Sequence, residues 1–213
     1  LSSLNENILN NQEEKGLYYS NITYLRNNKE YIRKVPSIKT HENKIEFILQ
    51  PWTAIGAPQA TISSSILRKE MFDETIEIGQ DTELFVRIAD KFNLYHVDTD
   101  SIVAVYHNDN SANLKYNSGL KRLKGLNKIF NNKHYKKQIS FRLKMYLYSY
   151  CYRRMSDHYE FVGDKKNTLK SACKALFYSP FDKDFKIKMV HIIFNLPLIG
   201  SLISKIYRKV KLK

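Results

Sequence analysis

The chain has 213 residues, 43% of them hydrophobic and 26% charged, and a formal net charge of +14. That length is ample for a buried core, and the composition is that of a globular protein. Only 7 glycines and 5 prolines against 15 tyrosines argue against a Gly-rich β-protein and for substantial helix.

Leu1, Leu4, Ile8 and Leu9 have helical spacing, and the start at Leu1 rather than methionine reads as a fragment or a processed chain. Leu17 to Asn21 is rich in aromatic residues and ends in turn formers, which predicts a strand. Asn21-Ile22-Thr23 also has the spelling of a glycosylation acceptor. Thr23 to Val35 alternates loosely, as a hairpin would. Lys44 to Leu49 reads as a helix stopped by Pro51, and Trp52 to Pro58 as a loop. Ala60 to Leu67 reads as a buried strand, and Arg68 to Glu74 as a charged turn or short helix.

Leu84, Phe85, Ile88, Ala89 and Phe92 recur at helical spacing. Gly79 before them allows a sharp backbone turn. Asp81 and Thr82 stand where this helix should begin and suit its free N–H groups, while the positive end of the helix favours an anion there. Asp81 therefore reads either as an N-cap or as a carboxylate presented to a ligand. Arg87 can pair with Glu83 at i, i+4. Leu94 to Val97 and Ile102 to Tyr106 read as two short strands, with Asp98-Thr99-Asp100 as the turn between them. His107 to Ser111 closes this part as a polar loop. Strands mixed with helices predict an α/β fold.

Charge divides the chain. Residues 1–111 hold 11 basic and 16 acidic residues, a net of −5, whereas residues 112–213 hold 24 and 5, a net of +19. The basic half calls for an anionic neighbour, either a membrane surface or a nucleic acid. Its apolar residues predict helices: Leu120 to Phe130, Phe141 to Phe161, and Thr168 to Tyr178, punctuated by Gly163-Asp164 and Pro180. The stretch 189–209 is apolar but broken by His191, Asn195, Pro197 and Gly200, and basic residues flank it. A spanning helix wants about 20 apolar residues without such breaks. The stretch reads as a segment lying in a membrane interface or as a buried terminal helix. Cys151 and Cys173 match no metal-ligand spacing and fit a reducing compartment, with a single disulfide left open.

One ordered set of residues carries a resemblance. It runs from Ser64-Ser65-Ile66-Leu67-Arg68-Lys69 through Phe72-Asp73-Glu74 and Gly79-Gln80-Asp81-Thr82-Glu83-Leu84 to Arg87-Ile88-Ala89, Tyr106-His107 and Asn110-Ser111. It resembles the acceptor-side half of a family 2 glycosyltransferase with the Rossmann-like GT-A fold. The resemblance covers about residues 1–113, leaving 114–213 as a basic α-helical appendage. It implies an inverting transfer of a sugar from a nucleotide-sugar donor to a glycan or lipid-linked acceptor, with Asp81 as general base. Gln80 stands where the family has a second acid. Gln80, His107 and Trp52 become candidate contacts to acceptor or diphosphate, although His107 also suits a purely structural loop histidine and Trp52 a core position. The family's Asp-x-Asp metal motif would precede the acceptor half, so Asp98-Thr99-Asp100 is in the wrong place for it. The resemblance implies a divalent cation, magnesium or manganese, held upstream of Leu1 with the donor-binding half, and a chain inactive alone. It further implies peripheral attachment at the inner face of the plasma membrane. The competing class is a non-enzymatic basic helical module on nucleic acid or an anionic membrane. No recognised nucleic-acid motif gathers the basic residues, which disfavours nucleic acid.

Overall fold

The computed structural model describes residues 15–26, 29–39, 42–53, 55–105 and 117–180. His107 and the 189–209 stretch lie outside these residues, as does Leu1 to Leu9. The architecture is mixed α/β, with a mixed sheet and several helices. Contacts divide the chain into two compact units. Among described residues, the first comprises 15–105 and 121–144, and the second 117–120 and 145–180.

In the first unit, strand β1 (Gly16–Arg26) is the centre of a sheet with β2 (Lys29–Arg33), β3 (Ala60–Ile62) and β4 (Asn93–Val105). One edge of β1 pairs in parallel with β4 from Gly16 to Leu25. The other edge is shared end to end: β3 pairs antiparallel with residues 17–19, and β2 with residues 22–26. With both edges paired, Leu17 through Thr23 are all buried. The expected hairpin is therefore present as β1 and β2.

Two expectations about strands need correction. Ala60 to Leu67 is not one strand: pairing stops at Ile62, and Ser64–Leu67 forms a single helical turn, α2. The reason is direction: β3 runs antiparallel to β1, so Ile62 already faces Leu17 and the next residues run off the start of β1 at Gly16. Asp98-Thr99-Asp100 is not a turn either. It lies within the continuous strand β4, where the register slips between Ser20 paired with Val97 and Asn21 paired with Asp100. The extra residues form a bulge, and the parallel ladder resumes beyond it.

Helix α1 (Lys44–Leu49) starts at Asn43, whose side chain accepts the Ile45 and Glu46 N–H groups at 3.0 and 3.2 Å. Helix α3 (Gln80–Lys91) buries Leu84, Phe85, Val86, Ile88 and Ala89. The two helices pack together, and α3 also touches β1 and β4. Phe47 of α1 meets the Tyr19 ring of β1 at 5.8 Å. The helix α4 (Ser118–Asn131) contributes its body to this unit, followed by α5 (Lys133–Gln138), a helix not anticipated from the sequence. Asn132 caps α5, accepting from His134 N at 2.9 Å.

The second unit contains most of α6 (Phe141–Phe161) and all of α7 (Lys165–Tyr178), close to the expected spans. Gly163 turns the chain with φ of 78°, and Asp164 caps α7 by accepting from Asn167 N at 3.0 Å. The helices run antiparallel: Ser149 donates to the Ala175 carbonyl and Ser156 to that of Thr168. Small buried residues, Ser149, Ser156, Ala172 and Ala175, line this contact, and Tyr152 stacks on Tyr178 with centroids 5.5 Å apart. Among the described residues, no helix is long and apolar enough to cross a membrane.

Candidate functional site

The entrance to α3 is built by a glycine. Gly79 adopts φ of 86°, a left-handed conformation that L side chains rarely take, and it rather than Asp81 is the N-cap. Asp81 stands two residues further on, inside the first turn. Its Oδ1 accepts the Thr82 N–H at 2.8 Å and the Thr82 hydroxyl at 3.5 Å. Its Oδ2 accepts the Ala57 N–H at 3.3 Å, from the loop that follows α1. Asp81 and this loop are thus brought together across 24 residues of sequence.

That loop is held at several points. Arg33 donates to the carbonyls of Trp52 at 3.2 Å and Thr53 at 2.8 Å. The buried Thr53 hydroxyl donates to the Phe47 carbonyl at 2.6 Å, and Gln59 donates to the Ser20 carbonyl at 3.2 Å. Trp52 is 58% exposed, which removes the core reading of this residue. Gln80 opens α3 and is half-buried.

Beneath α3 lies an ion-pair network. Arg87 donates to Glu83 at 2.8 Å, the expected i, i+4 pair, and also to Glu70 at 2.7 Å and the Met71 carbonyl at 2.6 Å. Lys91 completes the set on Glu70. Hydrogen bonding from Lys91, opposed by burial and aided by Arg87, lowers the Glu70 pKa. The network fixes the stretch after α2 to the far side of α3, so it braces the segment that presents Asp81.

Sequence reasoning missed a second polar cluster. A cleft of about 450 Å³ runs along β4 and is lined by Tyr18, Ser37, Leu94, His96 and Asp98 among others. His96 bonds Ser37 at 2.9 Å and Asn21 at 3.3 Å, and Asn21 donates to Asp98 at 2.8 Å. These residues come from β1, β4 and the stretch after β2. The one signal in the sequence is strand alternation, which puts Asn21 on the same face of β1 as Tyr19, whose ring meets His96.

Among the described residues no group of three or more His, Cys, Asp or Glu side chains could hold a metal ion. Neither a family model, nor a curated protein, nor a solved structure matches this chain.

Proposed function

We propose that this chain is the acceptor-side part of an inverting family 2 glycosyltransferase of the GT-A type, with Asp81 as the general base. The observation that supports the reading most is the anchoring of Asp81 between α3 and the Trp52 to Gln59 loop. A base must be fixed and still able to accept. A carboxylate has about four lone-pair sites. Two backbone N–H groups orient Asp81, and its Oδ2 takes only one of them, at 3.3 Å. That oxygen can accept the proton of an acceptor hydroxyl as the hydroxyl oxygen bonds to the anomeric carbon of the donor. The nucleoside diphosphate leaves from the opposite face, which inverts the anomeric centre and requires no covalent sugar intermediate. Exposed Trp52, on the same braced loop, offers a ring face on which the apolar side of an acceptor sugar packs. Gln80 is the neighbouring polar contact, and His107 remains a further one. The reaction uses a nucleotide-sugar donor and a glycan or lipid-linked acceptor, and magnesium or manganese would neutralise the leaving diphosphate. The +19 charge of residues 112–213 supports peripheral attachment to an anionic membrane at its cytoplasmic face.

The test is release of nucleoside diphosphate from a panel of nucleotide sugars, using the protein as its native cell makes it and oligosaccharide or lipid-linked acceptors. Acceptor-dependent release is expected. Asp81→Asn preserves size and should lower it at least about 100-fold, the usual range for a general base, while leaving the circular dichroism spectrum unchanged. A folded Asp81→Asn protein as active as the parent overturns the base assignment. Salt-sensitive binding of nucleic acid with no transfer at all overturns the class.

A further inference from the structure

The cluster in the β4 cleft has an internal logic that fixes every proton. The Val35 N–H can only donate, and it points to Asn21 Oδ1 at 3.0 Å. The Asp98 carboxylate oxygen accepts from Asn21 Nδ2 at 2.8 Å. The Asn21 amide is therefore oriented from both ends, with Oδ1 as an acceptor. His96 Nε2 lies 3.3 Å from that same Oδ1, so Nε2 carries the imidazole proton. His96 Nδ1 is then the lone-pair nitrogen, and the Ser37 hydroxyl at 2.9 Å donates to it. Burial lowers the His96 pKa below its ordinary 6.5, partly offset by Asp98, so the ring is neutral at pH 7 and able to take a proton.

Ser37 itself is clamped. The Tyr19 hydroxyl donates to the Pro36 carbonyl at 3.0 Å and accepts the Ile38 N–H at 3.1 Å, one residue either side of Ser37. Tyr19 is fully buried and its phenol is pushed up to about 12, so the donor persists at any ordinary pH. Ser37 is exposed, and the apolar residues Ile38 and Leu94 line the cleft beside it.

The geometry points to Ser37 as a nucleophile with His96 as its general base and Asn21 as the positioning residue, a site for small carboxylic ester acyl donors. It uses none of the residues assigned to glycosyl transfer. In the step, Ser37 Oγ bonds to the ester carbonyl carbon while its proton passes to His96 Nδ1. The carbon–alkoxy bond then breaks, and the leaving alcohol takes that proton. An O-acyl serine remains.

The experiment treats the 213-residue chain with p-nitrophenyl acetate at pH 7 and maps acetylation by peptide mass. Acetyl on Ser37 should form at least about 100-fold faster in the folded chain than in the same chain in denaturant. His96→Gln, which cannot take the proton, should remove that advantage, and Ser37→Ala should remove the acetyl from this peptide while sparing surface lysines. Acetylation of Ser37 no faster than in denaturant overturns the proposal, as does a folded His96→Gln chain that acetylates Ser37 at the parent rate.

Discussion

Replacing Arg87 by Met tests what holds the α3 entrance in place. Met keeps much of the apolar stem of Arg, so packing is largely retained and the charge is what is lost. The guanidinium donates to both Glu83 oxygens, to Glu70 and to the Met71 carbonyl. The carboxylates it serves are mostly buried, with side-chain exposures of 11% for Glu70 and 13% for Glu83. Removing one partner of a buried pair costs about 3–5 kcal/mol, because a charge is left without compensation. Lys91 stays on Glu70 and Arg87 is itself 20% exposed, so the low end, about 3 kcal/mol, is expected. For a chain of this length that corresponds to a fall in Tm of roughly 6–12 °C. Arg87→Lys keeps the charge but not the fork and should lose about 1–2 kcal/mol. The assay is urea denaturation followed by fluorescence of Trp52, the single tryptophan, which reports on the first unit. The loss should also depend on pH. Glu70 titrates below its ordinary 4.5, so its contribution is complete above that value and disappears as pH falls through the lowered pKa. The gap between parent and variant should therefore narrow below about pH 4.5. A Met variant within 1 kcal/mol of the parent at pH 7, roughly the worth of a surface pair, refutes the network as the brace of α3.

Other positions give separate tests. A Cβ on Gly79 meets nothing within 4 Å, so Gly79→Ala should cost only the left-handed backbone, about 1–2 kcal/mol, and Gly79→Asn less; equal stability of all three refutes the φ of 86°. A Cβ on Gly119 would meet the Cys151 carbonyl oxygen and lie 2.7 Å from the Met155 nitrogen, both backbone atoms of α6. Gly119→Ala should therefore destabilise the second unit by about 1–3 kcal/mol, read by helical circular dichroism during denaturation. Asp73, held by Lys128 at 2.6 Å and by Thr75, should titrate near 2 by carboxyl NMR and move up toward 3.8 in Lys128→Met.

The helices were legible because their period survives any context. Phe141 to Phe161 and Lys44 to Leu49 carry apolar residues at helical spacing whatever covers them, and their bounds coincide with those read from the sequence. The strands were less legible because pairing decides them. Ile66 and Leu67 look like strand residues, yet β3 runs antiparallel and reaches the start of β1 at Ile62, so they have no strand to pair with there and close a helical turn instead. Asp98-Thr99-Asp100 has turn chemistry, but ten paired positions along β1 keep the segment in β4 and turn those residues into a bulge. The glycine before α3 was readable; that Gly79 rather than Asp81 would cap it was not, because both residue types cap helices. The His96 cluster was hidden, since Asn21, Ser37 and His96 are separated by 16 and 59 residues and share no spacing rule.

The triplet Asn21-Ile22-Thr23 shows how far spelling and surroundings diverge. As a string it accepts a glycan. In the fold Asn21 is 2% exposed in the central strand, with β4 on one edge. Its amide nitrogen is engaged by Asp98 at 2.8 Å, and its oxygen by Val35 at 3.0 Å. A sugar on Nδ2 would have to displace Asp98 and part β1 from β4, so attachment is possible only before the sheet closes and would prevent its closure. Expression through a secretory pathway that glycosylates such triplets should therefore give folded protein with no glycan on Asn21. Any glycosylated fraction should be unfolded, with its tryptophan emission at the position seen in denaturant. Folded chain carrying a glycan on Asn21, with His96 still bonded to Ser37 by NMR, would refute both the burial of the triplet and the amide orientation on which the Ser37 assignment rests.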